Sequence, residues 1–102
     1  MRIAIVDDIH SERMLLHTRL EEQLTKRGVH ADLTEFENGE AFLKASRERP
    51  FTVLFLDIYM DGMTGMEAAR RIRRQSDNCI LVFVTTSSDF AVESYDVGAS
   101  YY

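Results

Sequence analysis

The chain reads as a single doubly wound α/β domain built on a parallel sheet. Apolar runs of strand length alternate with helical patterns from end to end. The run Phe51-Thr52-Val53-Leu54-Phe55-Leu56 is almost unbroken, as a strand buried on both faces requires. Each strand candidate then stops at a polar group: Asp7 and Asp8 after Ile3–Val6, Asp57 after Leu56, and Thr85 and Thr86 after Ile80–Val84. The carboxyl edge of such a sheet is where open α/β folds keep their chemistry.

Taken in order, the first strand is Ile3-Ala4-Ile5-Val6. Ser11 is read as the cap of a first helix, whose Leu16, Leu20 and Leu24 recur four residues apart with charges between them and which Gly28 closes. Val29 to Phe36 alternates as a half-exposed strand near a sheet edge does. Asn38-Gly39 breaks that strand, and a short helix through Ala41–Ala45 ends before Pro50. The third strand, ending at Asp57, and its glycine-bearing loop lead to a helix from about Met66, with Met66, Ala69 and Ile72 on one stripe and Arg70, Arg71, Arg73 and Arg74 as a solvated face. The fourth strand is followed by a helix capped by Ser88-Asp89, running through Tyr95 and ending near Gly98, and Ala99–Tyr102 reads as the opening of a fifth strand. Short connections predict right-handed crossovers with helices on both sheet faces.

The 102 residues suffice for one core but not two. A hydrophobic share of 45% and a charged share of 28% are those of an ordinary globular domain. The net charge of -5 argues against direct binding to a nucleic-acid backbone. Cys79 is the one cysteine, so no intrachain disulfide forms, and it reads as a small hydrophobe in a reducing compartment. The first apolar run is too short for a signal-peptide core, and nothing approaches the roughly 20 apolar residues of a membrane span. A cytoplasmic location and no membrane partner are the expectation. His10, His17 and His30 lack metal-ligand spacing and read as surface residues, and Met60, Met63 and Met66 as packing.

The strand topology brings Asp7, Asp8 and Asp57 to one edge, where unpaired charges at roughly 4 Å repel by about 4 kcal/mol at an effective dielectric of 20. Such a group holds either protons or a cation, and hard carboxylate oxygens suit Mg²⁺. With the charge balanced, a carboxylate there can act as a nucleophile towards phosphorus. Thr85 is placed to donate its hydroxyl to a phosphoryl oxygen.

Val6-Asp7-Asp8, Leu56-Asp57-Ile58, Gly62-Met63-Thr64-Gly65-Met66-Glu67 and Phe83-Val84-Thr85 together resemble the receiver domain of two-component response regulators, in the right order and over the whole chain, 1–102. The resemblance implies a flavodoxin-like sheet of strand order 2-1-3-4-5, with the chain stopping within the fifth strand and lacking the fifth helix. It implies Asp57 as phosphoacceptor, Asp8 as a direct Mg²⁺ ligand, Asp7 as a ligand through water and the Tyr59 backbone carbonyl as a further ligand. Thr85 and Tyr102 fall at the family's switch positions. A histidine kinase as phosphodonor and a C-terminal output domain are the implied partners, with DNA reached only through that domain. The stretch from Val84 to Tyr95 is most similar to receivers that precede a LytTR-type DNA-binding domain. On this reading the domain is a phosphoacceptor rather than an enzyme in its own right, catalysing at most its own phosphorylation and dephosphorylation.

Three departures carry expectations of their own. Asp61 stands where the family usually has proline, which predicts a looser loop after the acceptor. Tyr59 is bulky beside the site and is expected to shield the phosphoryl group and slow hydrolysis. The family's lysine, about three residues past Tyr102, has no counterpart here, Lys26 and Lys44 being the chain's lysines. The chain is accordingly expected to be a fragment of a longer regulator, poorly competent for phosphorylation and prone to pair or swap through its fourth-helix and fifth-strand end. Other readings differ at single positions. An aspartyl-nucleophile phosphatase wants an acid where Tyr59 stands, and a nucleotide or flavin binder wants a glycine- or hydroxyl-rich turn where Asp7-Asp8 stands. A phosphate-independent interaction module on the same fold is the remaining alternative.

Overall fold

The computed structural model describes residues 1–75 and 78–84. Over that span strands and helices alternate as β1 (Arg2–Val6), α1 (His10–Lys26), β2 (Asp32–Phe36), α2 (Gly39–Glu48), β3 (Val53–Leu56), α3 (Gly65–Gln75) and β4 (Ile80–Phe83). All pairings are parallel, in the order β2-β1-β3-β4, which matches the first four places of the expected sheet. Thr85, the helix expected from Ser88, the strand opening at Ala99 and Tyr102 lie outside the described residues.

Period-2 alternation sorts the strand residues between two faces. Ala4 and Val6 of β1, Leu54 and Leu56 of β3, and Leu81 and Phe83 of β4 join Phe42 and Leu43 of α2 and Met66, Ala69 and Ile72 of α3 in one buried cluster. Phe36, Phe42 and Phe51 pack as neighbouring rings 5.7 to 5.8 Å apart. On the other face Ile3 and Ile5 are buried beside α1, which packs on β1 and β2. The helix itself has no fully buried residue: Leu16, Leu20 and Leu24 are half-buried. The stripe read from the sequence does face the sheet.

Local chemistry sets the helix ends. Ser11 lies inside the first turn of α1 and is not its cap; Ile9 holds that position with no side-chain bond. A hydroxyl on the second residue of a helix cannot reach back to the first free N–H groups as a cap does. At the other end Gly28, at φ 67°, lets Val29 N–H reach Leu24 O and Gly28 N–H reach Thr25 O, the paired bonds of a left-handed glycine stop. Asn38 caps α2 by accepting from Ala41 N–H at 2.8 Å. Thr64 accepts from Glu67 N–H at 3.2 Å at the head of α3, a Thr-x-x-Glu start that the sequence carried openly. Arg73 departs from the expected solvated face, since it is half-buried and donates to the Cys79 carbonyl at 2.6 Å.

Register then positions the site. Val6 pairs with both Phe36 and Leu56, and Leu56 with Phe83, so the strands end level. One further rung follows: Asp7 N–H to Phe36 O, Asp57 N–H to Val6 O and Val84 N–H to Leu56 O, at 3.0 to 3.1 Å. Asp7 and Asp57 are thus held by the last hydrogen bonds of neighbouring strands.

Candidate functional site

Asp7 is buried, Asp8 and Asp57 are half-buried, and all three leave the same sheet edge. A fourth acid joins them from the first turn of α1: carboxylate oxygens of Asp7, Glu12 and Asp57 lie within 4.8 Å of one another. Backbone amides hold two of the carboxylates. Ile9 N–H donates to Asp7 Oδ1 at 2.9 Å, and Tyr59 N–H donates to Asp57 Oδ1 at 3.3 Å. Asp8 is turned differently: its Oδ2 accepts from Asp61 N–H at 3.1 Å, while its Oδ1 is buried with no hydrogen-bond partner among the described residues.

Burial is the main force on the acceptor's charge. It pushes the Asp57 pKa from the ordinary 3.8 up to about 6, with the charge of Asp7 next in weight and those of Asp8 and Glu12 adding to it, against the Tyr59 N–H bond. Asp7 is raised as well, first by burial and then by Asp8, while the Ile9 amide and Arg13 oppose the rise. Arg13 bonds to this corner, donating to the Asp7 backbone carbonyl at 2.8 Å.

An acid group under this much mutual repulsion has the donor set of a hard divalent cation. Asp7, Glu12 and Asp57 offer converging oxygens, and the unpartnered Asp8 Oδ1 is an acceptor buried without a donor, a costly state that a cation relieves. The residues present therefore fit Mg²⁺.

The loop from Ile58 to Thr64 closes the site. Gly65 N–H returns to Ile58 O at 3.0 Å, so tightly that a Cβ at position 65 would collide with the Asp57 carbonyl oxygen and Ile58 Cα. Met60, Met63 and Met66 are buried beneath the loop, as read from the sequence. Tyr59, 52% exposed, lines with Asp8, Ile9, Asp61, Glu67 and Arg70 an open cleft of about 670 Å³ beside the acids.

The structure thus brings Asp7 and Asp57 together with Glu12, with Tyr59 tied to Asp57 through its amide; Asp8 leaves the same sheet edge but is not in that converging group, and Thr85 and Tyr102 lie outside the described residues. Lys26 ends α1 and Lys44 lies on α2. Sequence reasoning missed Glu12 and Arg13. Glu12 carried one usable signal, an acid in the first turn of the helix that follows Asp7-Asp8. His17, read as a surface residue, is held between Glu21 and Glu35 at 2.6 and 2.8 Å.

The sensory transduction protein LytT of Bacillus subtilis is 28% identical over 99 residues, covering 97% of this chain and 39% of that protein. The response regulator receiver protein CpdR of Brucella abortus is 34% identical over 84 residues, covering 82% of this chain and 65% of that protein. Among solved structures, the response regulator TrrA of Thermotoga maritima in complex with Mg²⁺-BeF is 30% identical, with a TM-score of 0.84 over 99% of this chain and 83% of that one. The chain spans 28%, 24% and 39% of the length of the first curated relatives it matches. The family model described as response regulator receiver domain matches residues 3–102, and the chain, with its flavodoxin-like sheet and acidic edge, belongs to that family.

Proposed function

We propose that Asp57 accepts a phosphoryl group from a phosphohistidine of a histidine kinase, with Mg²⁺ held by Asp7, Asp8, Asp57 and the Tyr59 backbone carbonyl. The observation that carries this reading is the convergence of carboxylate oxygens at the level strand ends, beside an Asp8 Oδ1 that is buried and unpartnered. In the transfer, an Asp57 oxygen attacks phosphorus in line with the P–N bond. The new O–P bond forms as the P–N bond breaks, and the departing imidazole keeps the electron pair and takes a proton from solvent. The domain's part is positioning. With a pKa of about 6, Asp57 is largely ionised at neutral pH and available as the nucleophile. When bound, a divalent cation neutralises the charge gathering on the phosphoryl oxygens.

Thr85 is the proposed switch hydroxyl, bonding a phosphoryl oxygen, and Tyr102 the aromatic that follows it; both lie outside the described residues. Phosphorylation and slow hydrolysis are catalysed by the domain itself. The modified state acts on a C-terminal output domain, and the likeness to LytT supports a transcriptional one of LytTR type. DNA contact belongs to that domain, in keeping with a net charge of -5 here. A homodimer or swapped dimer through the C-terminal end, where a fourth helix and fifth strand are expected and which lies outside the described residues, is part of the same proposal. The site of action is the cytoplasm; no described helix is long and apolar enough to cross a membrane.

Intact mass after incubation with a small-molecule phosphodonor and Mg²⁺ tests the proposal, on this chain and on the longer regulator, each beside Asp57→Ala. One added phosphoryl group on the longer chain that disappears with Asp57→Ala supports it. Folded, Mg²⁺-binding chains that stay unmodified would favour a phosphate-independent interaction module.

A further inference from the structure

The residue at position 61 does more than replace an expected proline. Its backbone N–H reaches across to the Asp8 carboxylate at 3.1 Å, a bond between residues 53 apart in the chain that joins the loop after β3 to the loop after β1. Proline has no N–H and cannot make this bond. The two oxygens of Asp8 are consequently divided: Oδ2 is occupied by the Asp61 amide, and Oδ1 is left buried and bare. A carboxylate bonded at one oxygen has less freedom to turn the other.

We infer that the Asp61 backbone amide is a positioning group for Asp8, holding its Oδ1 ready for a divalent cation and coupling cation binding to the loop that follows the phosphoacceptor. This rests on the reading of Asp8 as a cation ligand. The loop that the missing proline ring would have stiffened is restrained by the amide instead, and the restraint ends on the ligand itself. The Asp61 side chain, exposed at the rim of the adjoining cleft, is not what acts; any residue with a backbone N–H serves.

Calorimetric titration with Mg²⁺ alone tests this in the parent, Asp61→Ala, Asp61→Asn and Asp61→Pro proteins. The expected result is a Kd within about twofold of the parent for the alanine and asparagine variants and about five- to tenfold weaker for the proline variant, the loss of one hydrogen bond to a charged, partly exposed acceptor. A proline variant that binds Mg²⁺ as tightly as the parent overturns the inference, as does an alanine variant as weak as the proline one, which would place the effect in the side chain. A parent that takes up no Mg²⁺ removes the reading of Asp8 and the inference with it. A second measurement needs no proline variant. In amide-resolved NMR, Asp8→Ala is expected to move the residue 61 amide proton upfield and to speed its exchange more than tenfold; an unchanged residue 61 amide would overturn the positioning role even with Mg²⁺ binding intact.

Discussion

The Arg13 guanidinium on α1 meets the Glu35 carboxylate on β2 at 2.9 Å, and the same guanidinium donates to the Asp7 backbone carbonyl at 2.8 Å. One side chain thereby ties the edge strand and the first helix to the acidic corner. His17 lies on the other side of Glu35, with Nδ1 2.8 Å from Oε2 and Nε2 2.6 Å from Glu21.

These contacts make stability depend on acid in a defined direction. Burial works to raise the Glu35 pKa, but the bonds from Arg13 and His17 outweigh it and hold the carboxyl below its ordinary 4.5. A lowered folded-state value means stabilisation that is full above about pH 4.5 and lost as pH falls through the folded value. Glu35→Gln is expected to cost about 1–2 kcal/mol at neutral pH. In urea titrations the gap between variant and parent should narrow steadily below about pH 4.5. A gap that stays constant with pH would contradict this account.

Asp57 has the opposite sign. Its value of about 6 lies above the ordinary 3.8, so without a cation the fold is favoured by its protonated form. That advantage is complete below about pH 4 and is lost as pH rises through about 6. Metal-free Asp57→Asn should therefore melt higher than the parent at pH 8, by several degrees, since about 1 kcal/mol moves the midpoint of a domain this size by roughly 4–8 °C. Near pH 4 the two should converge. Adding Mg²⁺ should raise the parent more than the variant, and an equal rise in both would mean that Asp57 is no ligand.

Tyr59 is expected to prolong the modified state by shielding the phosphoryl group. Its amide bonds Asp57 and its side chain lines the cleft beside the acids. Replacement by asparagine removes a bulky ring from the path of attacking water and is expected to speed dephosphorylation by roughly tenfold, which is about 1.4 kcal/mol in the barrier. Decay of the phosphorylated parent and Tyr59→Asn proteins, followed by intact mass, decides it; equal half-lives would remove the shielding role.

Gly65 is a packing requirement. A methyl group there would strike the Asp57 carbonyl and Ile58, both backbone, so the loop and the head of α3 must move apart. Gly65→Ala should cost about 1–3 kcal/mol or more and displace the acceptor loop. Gly28→Ala meets nothing within 4 Å and strains only its φ of 67°, at about 1–2 kcal/mol. Denaturation and Mg²⁺ titration of both variants separate the two effects: only Gly65→Ala should weaken the cation site.

The strands and helices of the described span were legible because their signals are local. The nearly unbroken apolar run through Val53–Leu56 marks a buried strand, and fourfold spacing along α1 states which side of that helix is apolar, whatever the element packs against. The acids at the strand ends were legible for the same reason, as the first charges after apolar runs. Ser11 misled because a capping hydroxyl two residues off its place looks the same in sequence, and Thr64, with Glu67 three residues on, was the cap that could have been read.

What the sequence determined by itself was the order of elements, the identity of the apolar faces and the carboxylates at the sheet edge. The tertiary structure decided what those carboxylates face: Glu12 beside Asp7 and Asp57, Arg13 bridging to Glu35, and Asp61 holding one oxygen of Asp8 while the other stays bare. Hydrophobic periodicity is a property of neighbours in the chain. A group of like charges, and the burial that lifts Asp57 to about 6, arises only when parallel register brings distant strand ends level and a helix and a loop close over them.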